Sequence, residues 1–427
     1  MKGHALVAKI KDAVKIPGAD KIVQYNLFGE TIITTKDYPE GTLGLLMDLE
    51  CQLGEEFCHH NNLYRHSTLN KDTTKSGYFE DNRRVRAIRL KGIKVTGFWL
   101  PLSSLSFISS SFPTEGTELD SWKNIEICRK YLNPNTLKQS VGNKQGKARE
   151  VIVNSFREHS DTDQLCRNLD KIKEGNLVIV TEKIHGTSGR CGNLPIKRKK
   201  KFWQFWKKKN YYGFVTGSRR TVKYVEGENI NQKSSFYDTD IWTLASERFK
   251  GKLRKGETVY FEIVGFLPSG KPIMYGRNNS VLKPFMSKDE YTDFVEEFGQ
   301  ETHFTYNCSP GEFEVYIYRI TLSNEDGFSL DYSWEYLKTR CEEMGVKHVP
   351  QIDRFILEEF ELTQLENISR QYIQMKSKEF PFHIKEGICW RIENRLSNPL
   401  ILKDKSVNFK ILEGIIKDTN VDIEEAN

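Results

Sequence analysis

The sequence of 427 residues predicts an α+β protein, with a small N-terminal β-barrel followed by antiparallel sheets flanked by helices. Three observations predict this. Short apolar or alternating runs crowd the first 105 residues, broken by turn residues. From about residue 150 onward, strand-like runs are interleaved with segments of helical period. One β-branched run, VIVTEK at 178–183, stops at a lysine and is followed at once by His-Gly-Thr-Ser.

The N-terminal runs are HALVAKI, KIVQYNLFG, TIITTK, GTLGLLMDL, RVRAIRL and VTGFWLPL. Gly, Pro and Asp punctuate them, as in IPGAD, YPEGT and LKGIK. Five or six strands in 1–105 suit an OB-like barrel, a fold that often binds single strands. Residues 106–150 read as a connector, in which WKNIEICRKYL has helical spacing and NPNTLKQSVGNKQGKARE is linker-like. Residues 151–427 carry the α+β pattern. Its strands are NLVIVTEK, YGFVTGS, ETVYFEIVGF, EVYIYRITL, GICWRIE and PLILKDK, and its helices are YSWEYLKTRCEEMG and ELTQLENISRQYIQMKSK.

At roughly 150 residues per domain, the length allows two or three domains with ample core. A charged content of 29% and a net charge of +6 suit a globular chain and do not by themselves mark a nucleic-acid binder. No apolar run approaches the roughly 20 residues needed to span a bilayer, and the N-terminus lacks a signal-peptide pattern. The expectation is a cytoplasmic protein without a membrane partner. The eight cysteines include no Cys-x-x-Cys pair and read as reduced, mostly buried thiols. Cys51, Cys58, His59 and His60 match no common zinc spacing and read as a loop beside a core strand.

One insert, PIKRKKKFWQFWKKKNYYG at 195–213, interleaves eight basic residues with Phe202, Trp203, Phe205 and Trp206. Cations meet phosphates and aromatic faces stack on bases, so the mix suits nucleic acid. A long hairpin with solvated basic arms would read the same way.

Polar residues recur at the strand ends: Lys183, Arg219, Glu262, Tyr318, Glu386, Lys403 and Lys405. A nucleophilic lysine must lose its proton, against an ordinary pKa of about 10.4. Lys403 and Lys405, alternating with Asp404, place two cations on one strand face and could lower it. Singly, Glu262 and Glu386 read better as ordinary strand-face carboxylates and Tyr318 as an ordinary core aromatic.

As a set, they resemble the covalent nucleotidyltransferases. EKIHGT at 182–187 is similar to the lysine motif K-x-[DH]-G in its RNA ligase 2 form. SRR at 218–220 resembles the following arginine motif, FEIVG the F-G-E-x-x-G element but with Phe261 adjoining Glu262 and no intervening Gly, and YIYRI the aromatic-Asp strand with Arg319 where Asp is usual. KEGICWR resembles E-G-x-V-x-K with Arg391 at the Lys position, and LKDKSVNF resembles I-K-x-K-N-x-x-F. The resemblance covers 178–407 and implies an ATP-grasp-like DNA/RNA ligase domain. It also implies these roles. Lys183 attacks ATP and becomes lysyl-AMP. Glu182 and Gly186 lie at the nucleotide, Glu262 accepts from the ribose, and Tyr318 stacks on adenine. Arg219 contacts ribose or an RNA 5′-phosphate. Glu386, with Glu262 and His185, serves Mg²⁺ or Mn²⁺. Lys403 and Lys405 neutralise the α-phosphate. His185 would position metal-bound water or simply hold the loop.

The appendages narrow the resemblance. About 20 residues follow Lys405, too few for a C-terminal OB domain, and the β region lies in front. That order resembles the RNA ligase 5 branch. It implies an ATP-dependent RNA ligase acting as a monomer in RNA repair, joining 3′-OH and 5′-phosphate ends at nicks in duplex RNA. The alternatives are a non-catalytic RNA-binding protein on the same fold, or a ligase for DNA/RNA-hybrid ends. Upstream, FREHSDTDQLCRNL reads as a helix start capped by Ser160 or Asp161, or as a lid for the pocket.

Overall fold

The computed structural model describes residues 4–133, 156–159, 162–197, 210–227, 237–362, 364–393 and 398–419. They form two compact units. The first comprises Met1–Leu132, Asn279–Glu296 and Lys410–Thr419; the second comprises Asn133–Asn278, Glu297–Phe409 and Asn420–Asn427.

In the first unit, strands β1 (Ala5–Lys9), β4 (Leu43–Asp48), β5 (Gly97–Pro101) and β6 (Glu118–Leu119) form a sheet in the order β6-β1-β4-β5. Strands β2 (Ile22–Leu27) and β3 (Glu30–Thr35) form a separate sheet with Val14–Lys15. Ala5, Val7, Leu45 and Met47 face one apolar cluster, which includes Phe57 and Phe79. Their neighbours Leu6, Ala8 and Leu46 face another, with Tyr25, Ile32 and Trp99. Both faces of β1 and β4 are therefore buried, whereas a small barrel needs an outer face. No sheet among the described residues closes into a barrel, and the expected OB-type closure is not found.

WKNIEICRKYL, read as helical, is strand and turn: Trp122 pairs with Ile125 across Lys123-Asn124, which have φ of 44° and 71°. Two successive positive φ values make the tight hairpin turn that an Asn favours, and this overrides the apolar spacing. Residues 106–132 thus belong to the first unit. The Cys51, Cys58, His59 and His60 group is not a ligand set. Both thiols are buried, His59 Nδ1 lies 2.8 Å from the Leu69 carbonyl, and His60 stacks on Phe107 at 4.3 Å.

The second unit has two main sheets. One contains β7 (Leu177–Lys183), β14 (Gln351–Ile356), β15 (Gly387–Ile392) and β16 (Leu400–Lys405), in the order β16-β15-β7-β14, with Asp163–Gln164 added at the β16 edge. The other runs β10-β9-β8-β11-β12-β13. Its strands are β8 (Thr187–Lys197), β9 (Asn210–Ser218), β10 (Val222–Val225), β11 (Glu257–Gly265), β12 (Phe313–Ser323) and β13 (Ser329–Asp331). Lys347–His348 joins it by pairing with β12.

Helix α1 (Trp334–Met344) starts at Ser333, whose hydroxyl accepts the Tyr336 N–H, and stops at left-handed Gly345. Helix α2 (Leu365–Gln374) covers one face of the β7 sheet, where Val178, Val180, Ile388, Trp390, Ile392 and Leu402 are buried. By the period of two, Thr181, Lys183, Cys389, Lys403 and Lys405 occupy the opposite face. No helix among the described residues is long and apolar enough to cross a membrane.

Every residue of β11 is buried, including Glu257. Arg340 donates to both of its oxygens, at 2.9 and 2.8 Å, and Tyr332 adds a third hydrogen bond. Burial pushes the Glu257 carboxyl up, but these donors outweigh it and hold the pKa below the ordinary value. Glu257→Gln should therefore cost about 3 kcal/mol by leaving Arg340 buried and underpaired. A lowered folded pKa adds stability above the ordinary carboxylate pKa and loses it as pH falls through the folded value. The gap in thermal midpoint between wild type and Glu257→Gln should be full at pH 7 and shrink below about pH 4.5, as checked by calorimetry across pH.

Candidate functional site

Strand register builds the site. Lys183, the last residue of β7, pairs with Gly387 on β15, which in turn pairs with Lys405 on β16. Gly387 is the bare position between two lysines, and a Cβ there would sit 2.1 Å from the Asp404 carbonyl oxygen. Glu386, one residue earlier, places Oε1 2.9 Å from Lys183 Nζ and 3.3 Å from Lys405 Nζ. Its Oε2 is 3.6 Å from His185 Nδ1. Glu386 is 3% exposed, so these cations must offset its desolvation.

They do. Burial alone would raise the Glu386 carboxyl, but Lys183, Lys405 and His185 hold it far below the carboxylate range. For Lys183, burial pulls the pKa down and Glu386 more than cancels it, leaving the ammonium favoured. Lys405 acts in the expected lowering direction without prevailing. Lys183 is 24% exposed and can be reached by a substrate.

Ile184, His185 and Gly186 join β7 to β8. A Cβ at Gly186 would lie 2.4 Å from the Ile263 carbonyl oxygen, so only glycine lets the loop cross β11 this closely. The His185 ring sits edge-on to Phe304 at 4.6 Å and to Phe409 at 4.9 Å. Phe409 belongs to α3 (Val407–Thr419), which follows β16 directly.

The second sheet contributes Glu262, paired in register with Ser188, whose hydroxyl donates to Glu262 Oε1 at 2.6 Å. Tyr318 on β12 is half-buried, and His159 meets it edge-on at 5.0 Å. Burial raises the Tyr318 phenol strongly, Glu262 adds to this, and Arg219 opposes it. Glu262 also acts on Lys183, while Lys183 and Lys403 both act on Cys389, whose thiol burial pushes up to about 11. Glu262, from the other sheet, thus lies within electrostatic reach of Lys183, and Arg219 and Glu262 within reach of Tyr318.

Glu182 lies apart from them on the opposite face of β7. Burial raises its pKa, with Ser377 and Lys385 partly offsetting. Glu262, Glu386 and His185 do not form a three-ligand metal cluster, and no such cluster exists among the described residues. One atom does fit a hard cation: Glu386 Oε2 is buried, and His185 Nδ1 at 3.6 Å stands just beyond hydrogen-bond length. A divalent ion that keeps several waters needs only one or two carboxylate oxygens from the protein.

The two departures from the motif pattern have structural work. Arg319 pairs with Asp331, Nη2 to Oδ2 at 2.8 Å, and lies over the Tyr260 ring. Arg391 is 2% exposed and donates to Glu393 and to the Tyr332 carbonyl. The basic–aromatic insert sits on the β8–β9 hairpin, paired as far as Lys197 and Asn210; 198–209 lies outside the described residues. Ser160 and Asp161 lie outside them too, and 162–171 forms a short strand and two 3₁₀ turns, so no described helix begins there. Sequence reasoning missed Phe304, Tyr306, Ser377 and His383, which fall in no motif.

No protein-family model matches the chain, and no curated protein matches its sequence. Solved structures do match its fold. Naegleria gruberi RNA ligase with pyrophosphate superposes with a TM-score of 0.59 at 14% identity, covering 98% of this chain and 99% of that one. A mutant of that ligase with ATP and Mn gives 0.58 at 16% identity, over 98% and 100%. Another mutant, with AMP and Mn, gives 0.57 at 15% identity, over 95% and 98%.

Next to the lysine loop, His383 Nε2 accepts the Tyr306 N–H at 3.1 Å, which requires an unprotonated Nε2. Burial, helped by His303, lowers the His383 pKa to about 4. The unfolded chain takes up that proton near pH 6.5. Stability is therefore lost as pH falls from about 6.5 to about 4. The thermal midpoint of wild type should fall more steeply across that window than that of His383→Leu, measured by scanning calorimetry. Over nearly its whole length, the chain has the fold of Naegleria gruberi RNA ligase.

Proposed function

We propose that the chain is an ATP-dependent RNA ligase that works through a covalent lysyl-AMP. One observation carries this reading. In a fold shared with an RNA ligase, a reachable lysine at a strand end meets one buried carboxylate, a second strand-borne lysine and a carboxylate from the facing sheet. The similar structures are described with ATP and Mn, AMP and Mn, and pyrophosphate, which suits nucleotidyl transfer.

In the first step, Lys183 Nζ attacks the α-phosphorus of ATP. The bond to the bridging oxygen breaks, pyrophosphate leaves, and AMP remains on the lysine. The nucleophile must be unprotonated, yet Glu386 favours its ammonium form. A Mg²⁺ or Mn²⁺ ion at Glu386 Oε2 would draw off carboxylate charge and so release the Lys183 proton. Lys405, with Lys403 on the same face, neutralises the α-phosphate as negative charge builds. Glu262 accepts a ribose hydroxyl while Ser188 fixes its other oxygen. Tyr318 offers a ring face to adenine, backed edge-on by His159. Arg219 is assigned to ribose or to the RNA 5′-phosphate. Gly186 lets the loop approach the nucleotide. Glu182 is assigned to the adenine edge on the likeness of EKIHGT alone.

In the second step an RNA 5′-phosphate oxygen attacks the lysyl-AMP phosphorus, giving a 5′–5′ pyrophosphate and freeing Lys183. In the third, a 3′-hydroxyl attacks the RNA phosphorus, AMP leaves and the phosphodiester forms. The substrate class proposed is nicked duplex RNA, sealed by a monomer during cytoplasmic RNA repair. The N-terminal β unit and the 195–213 insert are assigned to RNA contact.

Incubation with α-labelled ATP and Mg²⁺ or Mn²⁺ should label the wild-type band on a denaturing gel and leave Lys183→Ala blank. An unlabelled wild type, purified free of bound AMP, would sink the enzyme reading in favour of a non-catalytic RNA-binding protein. Lys405→Ala should slow labelling by about 100-fold, the scale expected when one group stabilising a developing charge is lost. On nicked duplexes, deoxyribose substituted at the terminal nucleotides should depress sealing. Equal sealing of RNA and DNA nicks would reassign the substrate to hybrid or DNA ends.

A further inference from the structure

The loop carrying Lys183 is held from outside the motifs. Its three joining residues have different supports: Ile184 is buried at 2% exposure, and the Gly186 backbone lies against Ile263. The His185 N–H belongs to no strand ladder. It donates to the hydroxyl oxygen of Tyr306 at 2.7 Å.

Tyr306 is presented in an unusual way. It and Asn307 have φ of 49° and 63°, two successive non-glycine residues in the left-handed region. Such a turn persists only where its surroundings over-determine it, and such strain clusters at functional sites. Here the surroundings do determine it. The Tyr306 N–H donates to His383 Nε2 at 3.1 Å, and the two rings lie 4.7 Å apart. Phe380 meets the Tyr306 ring edge-on at 4.9 Å, and Asn307 Nδ2 donates to the Glu379 carbonyl at 3.2 Å. Tyr306 is 4% exposed.

We infer that Tyr306, clamped by His383, is a positioning residue for the lysine loop: its hydroxyl sets where His185, and with it Lys183, stands against Glu386. The geometry downstream follows from that one bond. The His185 backbone fixes where its imidazole enters between Phe304 and Phe409, 3.6 Å from Glu386 Oε2. Lys183 Nζ meets the other oxygen of the same carboxylate. The Tyr306 hydroxyl bonds the loop backbone at His185, so it acts through the loop. A misplacement of about 1 Å at a reacting group can cost about 100-fold in rate. The inference rests on the ligase reading for its rate effect, and on the hydrogen bond alone for its effect on the loop.

Two measurements on Tyr306→Phe separate these. The first is single-turnover lysyl-AMP formation over a range of ATP concentrations. The maximal rate should fall about 10-fold while the half-saturating ATP stays within about 2-fold, because the loop's aim changes and the binding surface does not. The second is amide hydrogen exchange, read by mass spectrometry on peptides spanning 184–187, which should speed up. Tyr332→Phe is the control. It removes another phenol hydroxyl, one that donates to Glu257 at 3.1 Å, and should lower the melting temperature with neither effect. His383→Leu keeps the hydroxyl but frees the turn. It should shift exchange the same way by less, and it stands in if Tyr306→Phe does not fold. Wild-type exchange at 184–187 in the folded variants would overturn the inference, as would an equal rate loss in Tyr332→Phe. If wild type forms no lysyl-AMP, the ligase reading fails, and the exchange measurement still decides whether Tyr306 holds the loop.

Discussion

The site is organised around one buried carboxylate. Glu386 is almost fully desolvated, and a lone charge there would be expelled or neutralised. It stays ionised because Lys183 and Lys405 reach the same oxygen from neighbouring strands. Each of the three charges is tolerated because the others are present. That interdependence explains why β7, β15 and β16 must keep their register: a one-residue slip would turn Lys183 or Lys405 to the α2 face, among Val180, Trp390 and Leu402. The apolar face thus enforces the polar one.

The same logic extends across the two sheets. The loop from β7 to β8 carries the chain from one sheet to the other in three residues, and Gly186 makes the crossing possible. Ser188 then arrives opposite Glu262, and that carboxylate is fixed by a hydroxyl only five residues from the lysine. A short, rigid connection couples the aim of Lys183 to the position of Glu262. Glu257, five residues before Glu262 on the same buried strand, is pinned by Arg340, so β11 is anchored at one end and presents Glu262 near the other.

Much of this was legible because it is local in sequence. EKIHGTS, FEIVG, KEGICWR and LKDKS each put a polar residue at the end of, or within, an apolar run, and the structure joins Lys183, Glu386 and Lys405 in ion pairs with Glu262 and Lys403 within electrostatic reach. The helices at Trp334–Met344 and Leu365–Gln374 were legible from their period, though the second is shorter than its pattern. Closure of the N-terminal sheet was not legible. Runs such as GTLGLLMDL are apolar on both faces, and only the three-dimensional layering shows that both are covered. The Lys123-Asn124 turn was hidden because apolar spacing speaks for a helix while the positive φ pair speaks for a hairpin. Tyr306 and His383 were invisible because they act through backbone N–H groups, which any residue type supplies.

Arg319 and Arg391 show how motif departures can leave a site intact. Arg319 follows Tyr318 on β12, Arg391 lies on the strand that Glu386 precedes, and both are drawn into structural pairs: Arg319 with Asp331, Arg391 with Glu393 and the Tyr332 carbonyl. Tyr332 also bonds Glu257, so the Arg391 contact ends on the network that anchors β11. A cation at position 391 therefore serves the fold, while Lys405 meets the Glu386 carboxylate from β16. At its centre, Lys183 and Glu386 face each other at 2.9 Å. A bound triphosphate and its metal would compete for both partners at once. On the proposed ligase reading, the pair that stabilises the free protein is thus the pair that nucleotide binding would have to open, with the phosphates and the ion supplying the energy.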